Sequence, residues 1–518
     1  MSASRNSAPA AAQPLDDGEA GRPLLDPALC YRALSSRDAR FDGRFFIGVV
    51  TTGVYCRPVC PARTPKRQNV RFFPCAAAAG EAGFRPCLRC RPESSPGTPA
   101  WLGTSATVSR ALRHIAAGGL DDGSVGDLAD RLGVGERHLR RLFMEHLGAS
   151  PIAVAQTRRI HFAKKLIDET DLPMTRIALD AGFASVRRFN SAIKNAYDRN
   201  PSALRRRSAR TSSRPERLAL KLPFREPFDW PLLLEFLALR AIPGVENVSD
   251  GVYRRTVRLG ERTGVIEVSR PGEAPYLLLE VPVTFSPELV MIVERVRRLF
   301  DLGADPDDID GQLAADPRLG GRIARRPGIR VPGAWDGFEM AVRGIIGQQV
   351  TVRGATTIVG RVVARHGEPL GEDGETAGDN GHGVPALTHV FPDAHRLADA
   401  DLAGIGMPGG RARTIGRLAA EVAGNRISLA EPVGLDRSVD ALTSLPGIGP
   451  WTAQYIAMRA LAEPDAFPVG DVGVQRALGN ADRHATAKET TKRAEAWRPW
   501  RAYAVMYLWT IDAAAAPV

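Results

Sequence analysis

The chain has 518 residues, enough for three or four domains, with 44% hydrophobic residues and a formal net charge of +11, which favours a polyanionic partner. It contains no apolar run long enough to span a membrane, and the first 21 residues lack the apolar core of a signal peptide. We therefore expect a disordered segment at 1–21 and a cytoplasmic protein with no membrane partner.

The first predicted domain, residues 22–93, contains all six cysteines. Clustered cysteines in a cytosolic protein are typical of metal binding rather than of disulfides. Two close pairs are present, Cys56 with Cys60 and Cys87 with Cys90. This spacing is typical of a four-thiolate zinc site, so we expect one Zn²⁺ and no small-molecule cofactor. Cys30 and Cys75 lack a paired neighbour and are interpreted as buried free thiols.

The sequence around these cysteines resembles the N-terminal domain of Ada-type adaptive-response proteins. The matching stretches are Phe45-Phe46-Ile47, Thr51-Thr52-Gly53-Val54-Tyr55-Cys56-Arg57-Pro58 and Ala82-Gly83-Phe84-Arg85-Pro86-Cys87. The resemblance implies that Cys56 takes a methyl group from a methylphosphotriester in DNA, with Cys60, Cys87 and Cys90 as the other zinc ligands. Zinc keeps a thiol deprotonated and nucleophilic, and alkylation removes one negative charge, which raises affinity for DNA phosphates. A purely structural zinc module is the alternative.

A helical domain is predicted over residues 101–207, after a linker at about 94–100. A small residue, three further residues and a glycine occur at 129–133 and again at 178–182, which is typical of a helix-turn-helix. A basic helix follows each turn, and its predicted DNA contacts are Arg137 and Arg140 in the first unit and Arg187 and Arg188 in the second.

Two such units joined by a helix at about 151–167 resemble the AraC-type DNA-binding domain. The resemblance implies binding in successive segments of the major groove, and an activator of this kind would also contact RNA polymerase. A solvated basic surface with no specific target is the alternative.

An α+β lobe is predicted over residues 218–302, after a second linker at about 206–217. Alternating apolar segments at 252–258, 264–268 and 276–281 predict strands of an antiparallel sheet. The lobe shows no chemistry of its own, so we expect it to be structural. Residues 305–518 are predicted to be helical, with a long helical stretch over 338–363 and a mobile insertion at about 367–385.

The strongest motif is Leu445-Pro446-Gly447-Ile448-Gly449-Pro450-Trp451. Gly447 and Gly449 allow a tight turn between two apolar helices, and their backbone N–H groups would face a DNA phosphate. Asp471 follows in an apolar loop marked by glycine and proline, where a lone acid is usually a helix N-cap.

A helix-hairpin-helix, a Gly/Pro loop and then an aspartate resemble the HhH-GPD DNA glycosylases, and the likeness to AlkA-type alkylbase glycosylases covers about 220–509. Further matching stretches are Phe228-Asp229-Trp230, Phe338-Glu339, Gly347-Gln348-Gln349 and Trp497-Arg498-Pro499-Trp500-Arg501.

The resemblance implies that Asp471 stabilises the developing oxocarbenium ion and orients the attacking water. Trp451, Tyr455 and Trp509 would line a pocket for the cationic alkylated base, since a cation binds well over an aromatic face. Core packing is the alternative for these aromatic residues. Gln349 stands where the family inserts a wedge into the duplex, and an apolar wedge is common there.

Three differences from relatives refine the expected chemistry. Val472 stands where AlkA-type proteins often carry tyrosine, so the preference among bases is expected to differ. Trp451 occupies the position of the Schiff-base lysine in bifunctional relatives, which predicts a glycosylase without lyase activity. The segment after residue 90 has no cysteine, which excludes an Fe–S cluster held by thiolates there.

The predicted fold class is multidomain and mainly α. It comprises a small zinc-bound α+β domain at 22–93, an all-α double helix-turn-helix at 101–207, an α+β lobe at 218–302 and an all-α helix-hairpin-helix domain at 305–518. The predicted function is alkylation repair and response on double-stranded DNA, including alkylated and promoter DNA. The pattern of a Pro-Cys-His-Arg methyltransferase is absent, so we do not expect repair of O6-alkylguanine. The alternative is a transcriptional activator whose glycosylase half is an inactive scaffold.

Overall fold

The computed structural model describes residues 26–96, 106–205, 216–370, 386–430, 434–480 and 483–515. None of the helices in these ranges is long and apolar enough to cross a membrane. The predicted disorder at 1–21, most of the two predicted linkers and residues 371–385 of the predicted insertion lie outside the described residues.

The cysteine module (residues 26–96) is a four-stranded sheet with two helices. Its elements are α1 (Pro27–Ser36), β1 (Phe46–Val49), β2 (Val54–Cys56), β3 (Val70–Phe73), α2 (Ala76–Glu81) and β4 (Arg85–Pro86). The strand order is β3-β1-β2-β4, and β4 runs parallel to β2 with Tyr55 opposite Pro86. This register brings the end of β2 next to the residue after β4, so Cys56 and Cys87 become neighbours.

The helix-turn-helix region (residues 106–205) contains two units on either side of a long helix. Its helices are α3 (Ala106–Ala116), α4 (Val125–Arg131), α5 (Glu136–Leu147), α6 (Pro151–Glu169), α7 (Met174–Asp180), α8 (Val186–Tyr197) and α9 (Pro201–Leu204). Gly133 and Gly182 have φ of +69° and +85° at the two turns, which confirms the turns predicted there. Leu139 and Phe143 on α5 and Phe189 and Ile193 on α8 are fully buried.

The sheet lobe (residues 216–302) is a five-stranded antiparallel sheet with helices at its flanks. Its elements are β5 (Arg217–Pro223), α10 (Trp230–Ala238), β6 (Glu246–Ser249), β7 (Val252–Leu259), β8 (Arg262–Ser269), β9 (Tyr276–Pro282) and α11 (Leu289–Leu299). The strand order is β5-β9-β8-β7-β6, which confirms the three predicted strands and adds the two edge strands.

The helical lobe (residues 305–515) contains the remaining elements. They are α12 (Pro306–Leu313), α13 (Pro317–Arg325), α14 (Gly337–Ile346), α15 (Val352–His366), β10 (Glu368–Pro369), β11 (His389–Val390), α16 (Ala394–Ala398), α17 (Gly409–Ala423), α18 (Leu435–Thr443), α19 (Pro450–Arg459), α20 (Val472–Leu478), α21 (Ala487–Ala494) and α22 (Arg501–Ala515). Helices predominate, and the two larger sheets lie in the segments predicted as α+β, which confirms the predicted fold class.

Two details of the helical lobe differ from prediction. The helical stretch predicted over 338–363 is divided into two helices, because α14 ends at Ile346 and α15 starts at Val352. Gln349, between them, has φ of +53°, a left-handed conformation that a continuous helix cannot contain. The short antiparallel pair β10–β11 also interrupts the predicted all-α pattern.

One hydrophobic core joins the second helix-turn-helix unit to the sheet lobe. Ile177 and Phe189 belong to the same buried cluster as Leu220 and Leu279. The backbone N–H of Lys221 also donates to Oε2 of Glu169, at the end of α6, at 2.9 Å. The helix-turn-helix region is therefore packed onto the sheet lobe and is not held by its linker alone.

Candidate functional site

The hairpin between α18 and α19 can be built only with glycine at its tip. Gly447 has φ of +98°, and a Cβ at this position would lie 2.0 Å from Oγ1 of Thr414. Ile448 is buried beneath the turn, whereas Gly447 and Gly449 are exposed. Gly449 is the N-cap of α19, so the free N–H groups of the first helical turn face outward, where a phosphate can bind.

The turn between α14 and α15 is tied to this hairpin. Nε2 of Gln348 donates to the carbonyl oxygen of Gly447 at 3.0 Å and to Oγ1 of Thr452 at 2.9 Å. Arg411, in the first turn of α17, donates to the backbone carbonyl of Gln348. Gln349 is exposed next to this anchor in its left-handed conformation, so the turn presents its side chain beside the hairpin.

Asp471 is the N-cap of α20, and both of its carboxylate oxygens accept hydrogen bonds. Oδ1 accepts from the backbone N–H of Val474 and from Nε1 of Trp509, each at 2.9 Å. Oδ2 accepts from Nε1 of Trp451 at 3.0 Å. Asp471 can therefore cap α20 and also present a carboxylate to the site. One backbone N–H group and two indole N–H groups fix the orientation of this buried carboxylate.

A cavity of about 530 Å³ opens beside Asp471. Trp451, Tyr455, Trp509 and Asp471 all line it, so the structure brings together the residues that the sequence nominated. The rings of Trp451 and Tyr455 stack at 5.3 Å and 10°, and Trp509 is tilted at 6.4 Å from Tyr455. The volume is within the range of small-molecule sites, and the aromatic walls suit a flat heterocycle.

The sheet lobe supplies another wall of this cavity, which corrects its assignment as structural only. Leu232 and Phe236 on α10, and Arg240 just after it, also line this cavity. Burial lowers the pKa of Arg240 to about 10, so its guanidinium stays charged at neutral pH. No periodicity or motif marked Arg240, because it lies beyond the end of an apolar helix whose residues read as core.

Arginines also surround the phenol of Tyr455. Nη1 of Arg459 donates to the hydroxyl oxygen of Tyr455 at 3.1 Å. Burial acts to raise the pKa of Tyr455, but the charges of Arg459, Arg240 and Arg343 outweigh it, so the pKa lies below its ordinary value. The hydroxyl is therefore polarised, and the ring of Tyr455 is stacked against Trp451 in the cavity wall.

Carboxylates from two lobes compensate part of this positive charge. Nη1 of Arg343 lies 3.0 Å from Glu246 on β6 and 3.3 Å from Glu339 on α14. Arg255 on β7 pairs with the same Glu339 at 2.7 Å. This buried network joins the sheet lobe to the helical lobe behind the cavity and fixes the position of its walls.

In the cysteine module, Cys56, Cys60, Cys87 and Cys90 bring their sulfur atoms within 4.8 Å of one another. Tetrahedral zinc with Zn–S bonds of about 2.3 Å separates its sulfur ligands by about 3.8 Å, so these four residues fit the ion. Cys30 and Cys75 are buried and do not belong to this cluster. The four cysteines are the site of one Zn²⁺.

A backbone N–H group reaches one of these four sulfurs, since Arg57 N lies 3.4 Å from Sγ of Cys90. A hydrogen bond withdraws charge from a thiolate and makes it less nucleophilic.

The module docks on α6 through Tyr55, the residue before Cys56. The hydroxyl of Tyr55 lies 2.8 Å from Nε2 of His161, and burial lowers the pKa of His161. Arg91 pairs with Asp168 at 2.7 Å in the same interface.

The predicted DNA-contacting arginines lie on the helices after the two turns. Arg137 on α5 and Arg187 and Arg188 on α8 are exposed. Arg140 is half-buried and pairs with Glu136 one turn earlier at 2.6 Å. Three of the four are therefore free to meet a duplex, and the fourth would have to exchange a carboxylate for a phosphate.

Comparisons with known proteins match each part of the chain to a family. The matching family models are the metal binding domain of Ada at 29–93, a helix-turn-helix domain at 128–207, the AlkA N-terminal domain at 219–336 and the HhH-GPD superfamily base excision DNA repair protein at 342–501. Fold and site thus define a DNA glycosylase joined to a zinc-binding and helix-turn-helix half.

Among curated proteins, the chain is 43% identical to a "Probable bifunctional transcriptional activator/DNA repair enzyme AlkA" of Mycobacterium tuberculosis, over 93% of this chain and 95% of that protein. It is 33% identical to the Escherichia coli "DNA-3-methyladenine glycosylase 2", over 56% of this chain and 95% of that protein. It is 35% identical to the E. coli "Bifunctional transcriptional activator/DNA repair enzyme Ada", over 30% of this chain and 42% of that protein. The chain belongs to the family of bifunctional transcriptional activator/DNA repair enzymes of the AlkA type.

Proposed function

We propose that this protein hydrolyses the glycosidic bond of alkylated bases of the 3-methyladenine type in DNA. The observation that carries the proposal is the carboxylate of Asp471, held by two indole N–H groups and one backbone N–H at the edge of an aromatic cavity. A base alkylated on a ring nitrogen is cationic and already a good leaving group. The protein therefore has to stabilise positive charge on the sugar and admit water, which one fixed carboxylate can do.

The surrounding residues supply the steps before bond cleavage. The hairpin with Gly447 and Gly449 holds a backbone phosphate, and Gln349 fills the gap in the stack as the nucleotide leaves the duplex. The base enters the cavity and contacts the wall formed by Trp451, Tyr455 and Trp509. Gln349 is polar where relatives often use an apolar wedge, so it replaces the lost base by hydrogen bonding as well as by contact.

The product is proposed to be an intact abasic strand. A lyase needs an amine that forms a Schiff base with the sugar. The lining of the described cavity includes no lysine, and Trp451 holds the position that resemblance assigns to the lysine of bifunctional relatives. Alkylated duplex treated with the protein should break only after later heating in alkali. Strand cleavage without alkali, together with a covalent protein–DNA adduct after reduction with borohydride, would show lyase activity and refute the proposed product.

We also propose that Cys56 accepts a methyl group from a methylphosphotriester. The thiolate attacks the methyl carbon, an S–C bond forms, the C–O bond breaks, and the phosphodiester leaves with its negative charge. Zinc bound by the four cysteines would keep these thiols deprotonated. Cys56 is favoured over its neighbours because it stands, by resemblance to the Ada-type domain, at the position of the methyl acceptor.

The test is the mass of the protein after incubation with DNA carrying methylphosphotriesters. Wild type and the control Cys75→Ser should each gain one methyl group, and Cys56→Ala should gain none. If Cys56→Ala gains the same mass as wild type, the acceptor is wrong and the zinc is structural.

The helix-turn-helix region is proposed to read promoter DNA through Arg137, Arg140, Arg187 and Arg188, with RNA polymerase as a further partner in the cytoplasm. Methylation of Cys56 would lower the negative charge near the duplex and strengthen this binding. We further propose the domain limits 22–93, 101–207, 218–302 and 305–518. A zinc-loaded, folded protein that binds a promoter but releases no alkylated base would favour the rival, an activator with an inactive glycosylase scaffold.

A further inference from the structure

Helix α18 has a DNA-binding element at each of its ends. Its C-terminal end leads directly into the hairpin at 444–449. At its N-terminal end lies the first turn of the helix-turn-helix region, where a Cβ built on Gly133 would be 3.3 Å from Nη1 of Arg437. A Cβ built on Gly434, the N-cap of α18, would be 3.2 Å from Nη1 of Arg110 on α3.

Further contacts fix this arrangement. Nη1 of Arg113, on α3, donates to the carbonyl oxygen of Leu461 just after α19 at 3.0 Å. Glu463 is buried next to it and interacts with the charges of Arg113 and Arg110. Together with the core shared by the second unit and the sheet lobe, these contacts hold the two DNA-binding elements at a set separation.

The separation is short on the scale of DNA. A path can be followed from Gly447 along α18 to Arg437, across the Arg437 side chain to Gly133, and on to the start of α5 at Glu136. Its length, from the rise of a helix and the reach of extended residues, is no more than about 40 Å. One turn of B-DNA measures about 34–36 Å. A single duplex is therefore long enough to meet both elements within little more than one turn.

The residues along this path carry exposed positive charge. Arg437 is exposed, and no ion pair holds it within the parts of the chain that the structure covers. Arg137 and Arg141 are exposed on α5. Asp436 and Asp440 are exposed on the same helix, where Arg437 is the single basic residue, so α18 offers one positive side chain to a phosphate.

We propose that one duplex runs from the hairpin past Arg437 to α5, the helix after the first turn. The helix-turn-helix region then adds phosphate contacts to damaged DNA that is bound by the glycosylase. The inference rests on the proposed function and deepens it by assigning Arg437 as a bridging phosphate contact. The duplex extends from the lesion on one side only, because the second element lies at one end of α18.

The test uses full-length, zinc-loaded protein and duplexes that contain a tetrahydrofuran abasic analogue. In the first duplex, the arm on one side of the analogue has about 4 base pairs and the arm on the other side has about 15. In the second duplex the two arms are exchanged. The longer arm is sufficient because about 12 base pairs span the path between the two elements. Affinity is measured by fluorescence anisotropy over a series of salt concentrations. Wild type should bind one of the two arrangements more tightly than the other.

In that arrangement, log K decreases with log salt, and the magnitude of this slope should be smaller than in wild type by about 1 for Arg437→Ala. For the double variant Arg137→Ala, Arg141→Ala it should be smaller by about 2. The matched control is Arg318→Ala, an exposed arginine in the first turn of α13. If all variants have the wild-type slope in both arrangements and still release the base, the single-duplex path is wrong and the proposed glycosylase function is retained. If wild type neither binds the analogue nor releases a base, both the inference and the proposed function fail.

Discussion

Replacing Trp509 by phenylalanine tests whether the indole N–H groups orient the carboxylate of Asp471, to which we assign the chemistry of base release. The substitution keeps an aromatic wall in the cavity and removes the 2.9 Å hydrogen bond from Nε1 to Oδ1 of Asp471. A hydrogen bond to a charged group contributes about 1.5–3 kcal/mol, and about 1.4 kcal/mol corresponds to a tenfold change in rate. We therefore expect kcat/KM for release of 3-methyladenine to fall about 10- to 100-fold, mainly through kcat.

The assay is single-turnover release of radiolabelled base from alkylated duplex. Trp497→Phe is a matched control, because Nε1 of Trp497 donates to Oδ2 of Asp316 at 2.8 Å, a bond of the same kind that lies outside the cavity. Both variants lose stability, but only Trp509→Phe should lose activity when folded. Equal activity of Trp509→Phe and wild type would refute the orienting role, and an equal loss in Trp497→Phe would show a general effect of folding.

The remaining predictions concern the zinc site, the hairpin and the docking of the cysteine module. Cys60→Ser should lower bound zinc from one ion per chain, measured with a chromogenic chelator, and retention of a full equivalent would contradict the four-thiolate site. Gly447→Ala should lower the free energy of unfolding by about 1–3 kcal/mol and weaken binding to abasic DNA, because the new Cβ meets Thr414 at a strained φ. Gly449→Ala, where a Cβ meets nothing within 4 Å, should unfold like wild type in the same denaturant titration. Since burial lowers the pKa of His161 below 6.5, its contribution to stability is present above about pH 6.5 and is lost as pH falls through the lower folded-state value. His161→Phe should therefore lose less stability than wild type between about pH 7 and about pH 5, and identical losses in thermal melts would show that another group titrates.

The sequence predicted those elements whose local chemistry is strong. Two cysteine pairs define a zinc site by spacing alone, and a positive φ at a hairpin requires glycine, so Gly447 could be recognised before any coordinates. Strands β7, β8 and β9 alternate clearly between apolar and polar residues. Edge strand β6, by contrast, has only four residues, Glu246–Ser249, and carries little pattern.

Other features depend on contacts between residues that are distant in sequence. Trp451 and Trp509 were expected to stack on the base, but their N–H groups also hold Asp471, a relation that becomes visible only when three helices converge. Arg240 enters the cavity from a lobe that the sequence treats as structural. The break at Gln349 was missed because the residues around it have apolar helical spacing, while the turn is stabilised by Gln348 bonding to the hairpin.

The packing of the two halves was also beyond sequence reasoning. The sequence places a linker at about 206–217 between the helix-turn-helix region and the sheet lobe, but it gives no sign that the second helix-turn-helix unit shares a buried core with that lobe. Arg44 of the cysteine module likewise pairs with Asp305 at the start of the helical lobe. Such contacts use ordinary surface residue types, so no local pattern distinguishes them from solvated faces.

The central claim is that Asp471 performs the chemistry of base release. The most direct measurement compares wild type with Asp471→Asn for release of 3-methyladenine from alkylated duplex DNA, with zinc content and folding checked in both. The account predicts release by wild type and a loss of about 10²- to 10⁴-fold in the variant, which keeps a side-chain acceptor for N–H groups but lacks the charge. Release by Asp471→Asn at the wild-type rate, or no release by folded, zinc-loaded wild type, would contradict it.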